Sequence, residues 1–186
     1  MTIVLIAIGL YLAAAGWLVA SVQRGGEAAR GWLLPANLAL LLHGATHYLA
    51  WRSSGFTDLH FFAALSLAGL GMAILTAVVG ASGRMRALGV VVFPLAALML
   101  LGYALYGHAA HPEPLDWRLL LHAWLALLSY ATLAIASLLA IFLWGQERAL
   151  RRREFHLWLR TLPPLTELEQ MLFRTIMAGF ALLTLV

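Results

Sequence analysis

Apolar residues run along this chain in six long blocks, near residues 3–21, 32–51, 59–81, 87–106, 118–144 and 168–186. A helix needs roughly 20 such residues to cross the hydrocarbon core of a bilayer. Each block therefore predicts a transmembrane helix. The polar breaks between them read QRGGEAARG, RSSGFTD, SGRMR, GHAAHPEPLDW and the longer GQERALRRREFHLWLRTLPPLTELEQ. The expected fold is all-α, a polytopic transmembrane helix bundle of about six spans, forming one transmembrane domain over residues 1–186. The opening MTIVLIAIGL carries no positive charge ahead of its apolar run. That argues for a first span and against a cleaved signal peptide.

Charge orients the spans. All twelve basic residues are arginine. Nine lie in alternate breaks: Arg24 and Arg30, then Arg84 and Arg86, then Arg148, Arg151, Arg152, Arg153 and Arg160. The other two breaks have Arg52 and, at the edge of the fifth span, Arg118. The arginine-rich breaks are cytoplasmic by the positive-inside rule, which puts the N-terminus outside. The fifth span would be about 40 Å long as a helix and is expected to project into the cytoplasm as ERALRRREF, with Glu147 and Arg151 at i, i+4 spacing. LPPL stops it. Thr166 and Glu169 then stand in capping-box spacing for a helix leading into the last span. That span reaches Val186 with no polar tail, which suggests a C-terminal truncation.

Composition agrees, with 63% apolar and 11% charged residues against the roughly half and quarter of a soluble domain. The chain has no cysteine, which removes disulfides, thiol redox chemistry and thiolate metal sites. Histidine is where chemistry enters. Of the seven, six fall at or near the outer face: His43, His47, His60, His108, His111 and His122. His156 is cytoplasmic. His43 lies eight residues before Trp51, about 12 Å below the outer interface, with His47 one turn above it on the same face. His122 lies about one turn into the fifth span.

An ionisable side chain inside a span is expensive and points to function. A solitary histidine in a loop or at a helix end is ordinarily a satisfied packing residue, and this covers His60, His108, His111 and His156. His43 and His122 differ, because no Asp, Glu or Lys lies at comparable depth to pair with them. A four-ligand zinc site would lack its remaining ligands. Haem iron needs only axial imidazoles and an apolar slot for its ring. His43 and His122 are thus the candidate cofactor-binding and metal-ligating residues, for haem b. Small residues adjoin both, with Ala39, Gly44 and Thr46 beside His43, and Ala126, Ser129, Leu133 and Ala136 along the face of His122. Ordinary membrane-helix packing is equally compatible with that stripe.

The segments LLHAWLALLSYATLAIASLLAIFLWGQERALRRR and LPPLTELEQMLFRTIMAGFALLTLV resemble the cytochrome c assembly protein family, the haem-handling membrane proteins of the CcsA, CcmC and HemX type. The nearest likeness is to its YpjD-like inner-membrane branch, on LLHGATHYLAW and on H-x-x-L-x-x-x-SYATL from His122. The resemblance implies haem as ligand, His43 and His122 at the family's histidine positions, a multi-pass place in the bacterial inner membrane, and other cytochrome c assembly or membrane proteins as partners. Family members usually continue for further spans. Its larger members present haem through a tryptophan-rich WWD segment, which this chain lacks.

Three functions compete. The first is a haem-binding membrane protein assisting cytochrome c maturation or haem handling. The second is a regulatory or structural membrane partner of HemX type without stable haem, and the third a transporter with an outer histidine vestibule. Proton-coupled transport favours carboxylates within spans, whereas all eight here lie in breaks or at their edges. The arginine-rich stretch reads as a topology anchor on anionic lipid, with no nucleic-acid partner. No nucleophile–base constellation stands out. Ser129 and Tyr130 follow His122 without a third orienting group, so no enzymatic activity is expected.

Overall fold

The computed structural model describes residues 1–23, 30–55, 57, 59–81, 86–107, 116–153 and 162–186. His108, His111 and His156 lie outside them, as do Arg24, Arg84 and Arg160. The described residues contain no strand. Six helices carry the fold: α1 Thr2–Gln23, α2 Leu33–Ser54, α3 Phe61–Ala81, α4 Arg86–Tyr106, α5 Trp117–Arg151 and α6 Leu165–Leu185. A 3-10 turn, Arg30–Trp32, leads into α2. Among the described residues, five helices are long and apolar enough to cross a membrane. The exception is α2, long enough at 22 residues but diluted by Asn37, His43, Thr46, His47 and Arg52. It can stay in the bundle because His43 and His47 face inward and are almost wholly buried.

Local sequence explains the ends. α2 stops where Gly55 takes a left-handed conformation, φ 81°, and its N–H returns to the Trp51 carbonyl. Asp116 starts α5 by accepting from the Trp117 N–H. α5 has 35 residues, about 52 Å of helix, well beyond a hydrocarbon core of about 30 Å. Near its C-terminal end Glu147 and Arg151 pair at 4.0 Å, as their i, i+4 spacing predicts. The capping box does not form. α6 starts one residue earlier, behind Pro164 and with no side-chain cap, because a proline with its fixed φ already sets the entry to the helix. Thr166 is thereby drawn into the first turn.

Helices α1, α2, α3 and α4 close a ring, each touching the next and α4 returning to α1. The α5–α6 hairpin docks on that ring through α3. α6 packs almost entirely on α5. A Cβ at Gly179 would stand 2.7 Å from Leu133 Cγ, so glycine leaves the room that the Leu133 side chain fills. Ser129 donates to the Gly179 carbonyl at 3.0 Å. The small-residue stripe running from His122 thus serves helix packing. Ser129 bonds across to the next helix, not to its own backbone.

Orientation is open to a direct check. Ser54 and Leu150 are both exposed, at opposite ends of the bundle. With the arginine-rich ends inside, an impermeant maleimide should label Ser54→Cys in intact cells and Leu150→Cys only after lysis. The reverse pattern would invert the bundle.

Candidate functional site

A column of aromatic and polar side chains fills the ring of four helices. From the inner side it begins with Trp32, whose indole lies 5.9 Å from the ring of Phe93, which in turn stacks 5.9 Å from Tyr11. The Tyr11 hydroxyl sits 3.1 Å from His43 Nδ1. His43 Nε2 is 2.9 Å from Ser66 Oγ, and His47 Nε2 approaches the same oxygen at 3.0 Å. The two imidazoles stack 5.6 Å apart, as the one-turn spacing of residues 43 and 47 on a single face requires. His47 continues onto Tyr103 at 4.3 Å, and Tyr103 onto His60 at 6.0 Å. Each helix of the ring contributes: Tyr11 from α1, both histidines from α2, Ser66 from α3, Phe93 and Tyr103 from α4.

The chemistry of this column is a hydrogen-bond wire. Ser66 has one hydroxyl proton, so it donates to one imidazole and accepts from the other. The direction chosen at Ser66 fixes the tautomers of both rings, and through His43 the role of Tyr11. His43, Ser66 and Tyr11 are wholly buried and His47 is 1% exposed. His47 Nδ1 is buried with no hydrogen-bond partner among the described residues. A buried nitrogen left in this way is a place that a bound ligand or a water can fill.

Beside His47 a slot of about 280 Å³ opens between α2, α3 and α5. His47, Gly44, Leu70, Gly71 and Leu127 line it, and Trp51 and Trp124 meet edge to face across it at 5.7 Å. The slot is almost wholly apolar.

His122 stands elsewhere. It is exposed on α5, and its Nδ1–H donates to the main-chain oxygen of Val186 at 2.8 Å. His60 caps α3, accepting from the Ala63 N–H at 3.1 Å. The structure therefore gathers His43 and His47 at Ser66, links His60 to them through Tyr103, and keeps His122 apart. Sequence reasoning sought only carboxylates and lysine as partners for His43, and so missed the hydroxyls of Tyr11 and Ser66. The signal was available, since both are polar groups inside otherwise apolar blocks. Among the described residues no three His, Asp or Glu gather as a metal site.

No curated protein and no solved structure matches the chain. A family model described as Cytochrome C assembly protein matches residues 32–186, which takes in His43, His47, Ser66 and His122 and leaves out α1 with Tyr11. On a match of that extent, laid over a helical bundle with histidines at its core, the chain belongs to the cytochrome c assembly protein family.

Proposed function

We propose that this multi-pass membrane protein binds haem b while serving cytochrome c maturation or haem handling in the bacterial inner membrane, with ligands from the His43–His47 pair and from His122. The observation that carries the reading is the buried imidazole pair itself. Two histidines, a serine and a tyrosine are enclosed in apolar surroundings, and one imidazole nitrogen is left over at His47. Burying that nitrogen unpaired costs about 1–3 kcal/mol, which a metal bond would offset.

The residues fit a haem ligand set in two places. At the inner one, the polarity that suits a ligand is the one in which Ser66 donates to His43, so that His47 Nε2–H donates to Ser66 and His43 Nδ1–H donates to Tyr11. That polarity leaves His47 Nδ1 as a bare acceptor. It is the arrangement in which a ligating imidazole is oriented by a partner on its other nitrogen. His43, with both nitrogens engaged, becomes a direct ligand only by exchanging Ser66 for iron. At the other, His122 has its Nδ1 2.8 Å from the main-chain oxygen of Val186 and would offer Nε2 to the iron. Bound haem would supply an iron that imidazole nitrogens can hold. The chain's own residues fix tautomers, exclude water and offer the apolar slot beside His47.

His43 and His122 do not face a common slot, so we read them as ligands at two stations. The slot of about 280 Å³ falls just below the range of ligand pockets, about 300–1,000 Å³. Seating a macrocycle there requires the α5–α6 hairpin to move away from α2, which α5 barely touches. Likeness to the YpjD-like branch supports a role beside the haem-presenting members, without their tryptophan-rich loop. A pyridine haemochrome assay and an absorption spectrum on protein purified from haem-supplemented cells test the reading. A Soret band with stoichiometric b-type haem is expected. Well-folded protein that never acquires haem would move the function to a regulatory membrane partner.

A further inference from the structure

A second slot lies in the inner half of the bundle, away from the histidines. It measures about 240 Å³ and runs between the inner ends of α3 and α4 and the α5–α6 hairpin, walled by Leu75, Val79, Leu88, Ile135 and Leu139. Two polar groups on its wall have no use in the fold. Arg174 is a charged residue nine positions into α6, exposed, and forms no hydrogen bond or salt bridge with a described residue. The Thr76 hydroxyl is 98% buried by its 2% exposure and has no partner. The other hydroxyls on the wall are spent, Thr132 on the Leu128 carbonyl and Thr175 on the Met171 carbonyl. Thr76 alone keeps a proton to donate.

Arg174 also borders a more polar recess of about 400 Å³ with Thr166, Glu167 and Gln170. It thus stands where a polar opening near the start of α6 meets an apolar slot. An unpaired arginine within a span demands an anion, or a path for its head to the interface. A snorkelling arginine would account for Arg174 alone. It leaves the buried Thr76 hydroxyl unexplained.

We infer that the slot between α3, α5 and α6 is a binding site for an anionic phospholipid, its phosphate held by Arg174, an ester carbonyl accepting from Thr76, and an acyl chain lying along the apolar wall. The ligand chemistry follows from the wall: one fixed cation, one donor a short way into hydrocarbon surroundings, and room for a chain but not for a broad ring. The bilayer itself supplies such a molecule. The site does not depend on the haem reading.

Native mass spectrometry of the full chain, released from nanodiscs containing phosphatidylglycerol, phosphatidylcholine or added oleate, tests it. Phosphatidylglycerol should remain bound through detergent exchange. Arg174→Gln should weaken retention about ten-fold or more through loss of a charge-assisted bond, Thr76→Val about two- to five-fold, and Arg174→Lys least. Equal retention of phosphatidylcholine, wild-type retention in Arg174→Gln, or displacement of phospholipid by oleate would each overturn the proposal. If Arg174→Gln fails to fold, the comparison of Thr76→Val with wild type decides it. Loss of lipid there supports the site and unchanged retention removes it.

Discussion

Ser66→Ala is expected to destabilise the haem-free bundle by about 1–3 kcal/mol, a large effect for the loss of one oxygen. Polar contacts between membrane helices usually contribute less, averaging about 0.6 kcal/mol. Ser66 differs because its single hydroxyl serves two buried imidazoles, at 2.9 and 3.0 Å. Removing it strands two Nε2 atoms at once, in a ring interior where His43 is 0% and His47 1% exposed. Unfolding in a denaturing detergent, followed by tryptophan fluorescence, reads the loss. A double-mutant cycle isolates its cause. In a His43→Leu background Ser66→Ala should cost distinctly less, because one of the stranded nitrogens is already gone. Equal losses in both backgrounds would assign the effect to packing alone and remove the wire from the account.

The spans were legible because their signal is collective: about 20 apolar residues in a row leave little alternative. α2 was legible as a span only by that run, since its polar side chains lower its apolarity below that of the other five. Two of those side chains, His43 and His47, belong to the buried column. The proximity of His43 and His47 followed from one-turn spacing on one helix. Their partners did not, because Tyr11 and Ser66 sit 32 and 23 positions away from His43 in sequence, and the ring order that joins α1, α2 and α3 is a property of tertiary packing. The separation of His122 from His43 was hidden for the same reason. Depth can be read along a helix, but the direction a helix turns in the bundle depends on its neighbours. The stripe beginning at His122 turned toward α6, where Gly179 admits Leu133 and Ser129. Arg174 was passed over in the charge partition because it belongs to a span and not to a break. The capping box failed for a local reason: the proline before Leu165 had already set where α6 begins.

Haem retention should divide between the two stations. In the double variant His43→Ala/His47→Ala, the imidazoles that meet at Ser66 are gone, so the inner station should lose its haem while His122 keeps its own. In His122→Ala the opposite should hold. If both stations fill in the wild type, each variant retains roughly half the haem. A single haem shared by both helices would instead be lost in either variant, because removal of one axial ligand would weaken the one site there is. Exposure separates the stations further. His122 is exposed, so added imidazole should restore the Soret band of a His122→Gly variant, whereas the buried His43–His47 site should not respond within the same incubation. His156→Ala serves as the control, since its position in the arginine-rich stretch is far from either station in sequence. Full haem content with an unchanged spectrum in the triple variant lacking His43, His47 and His122 would end the ligand assignment altogether.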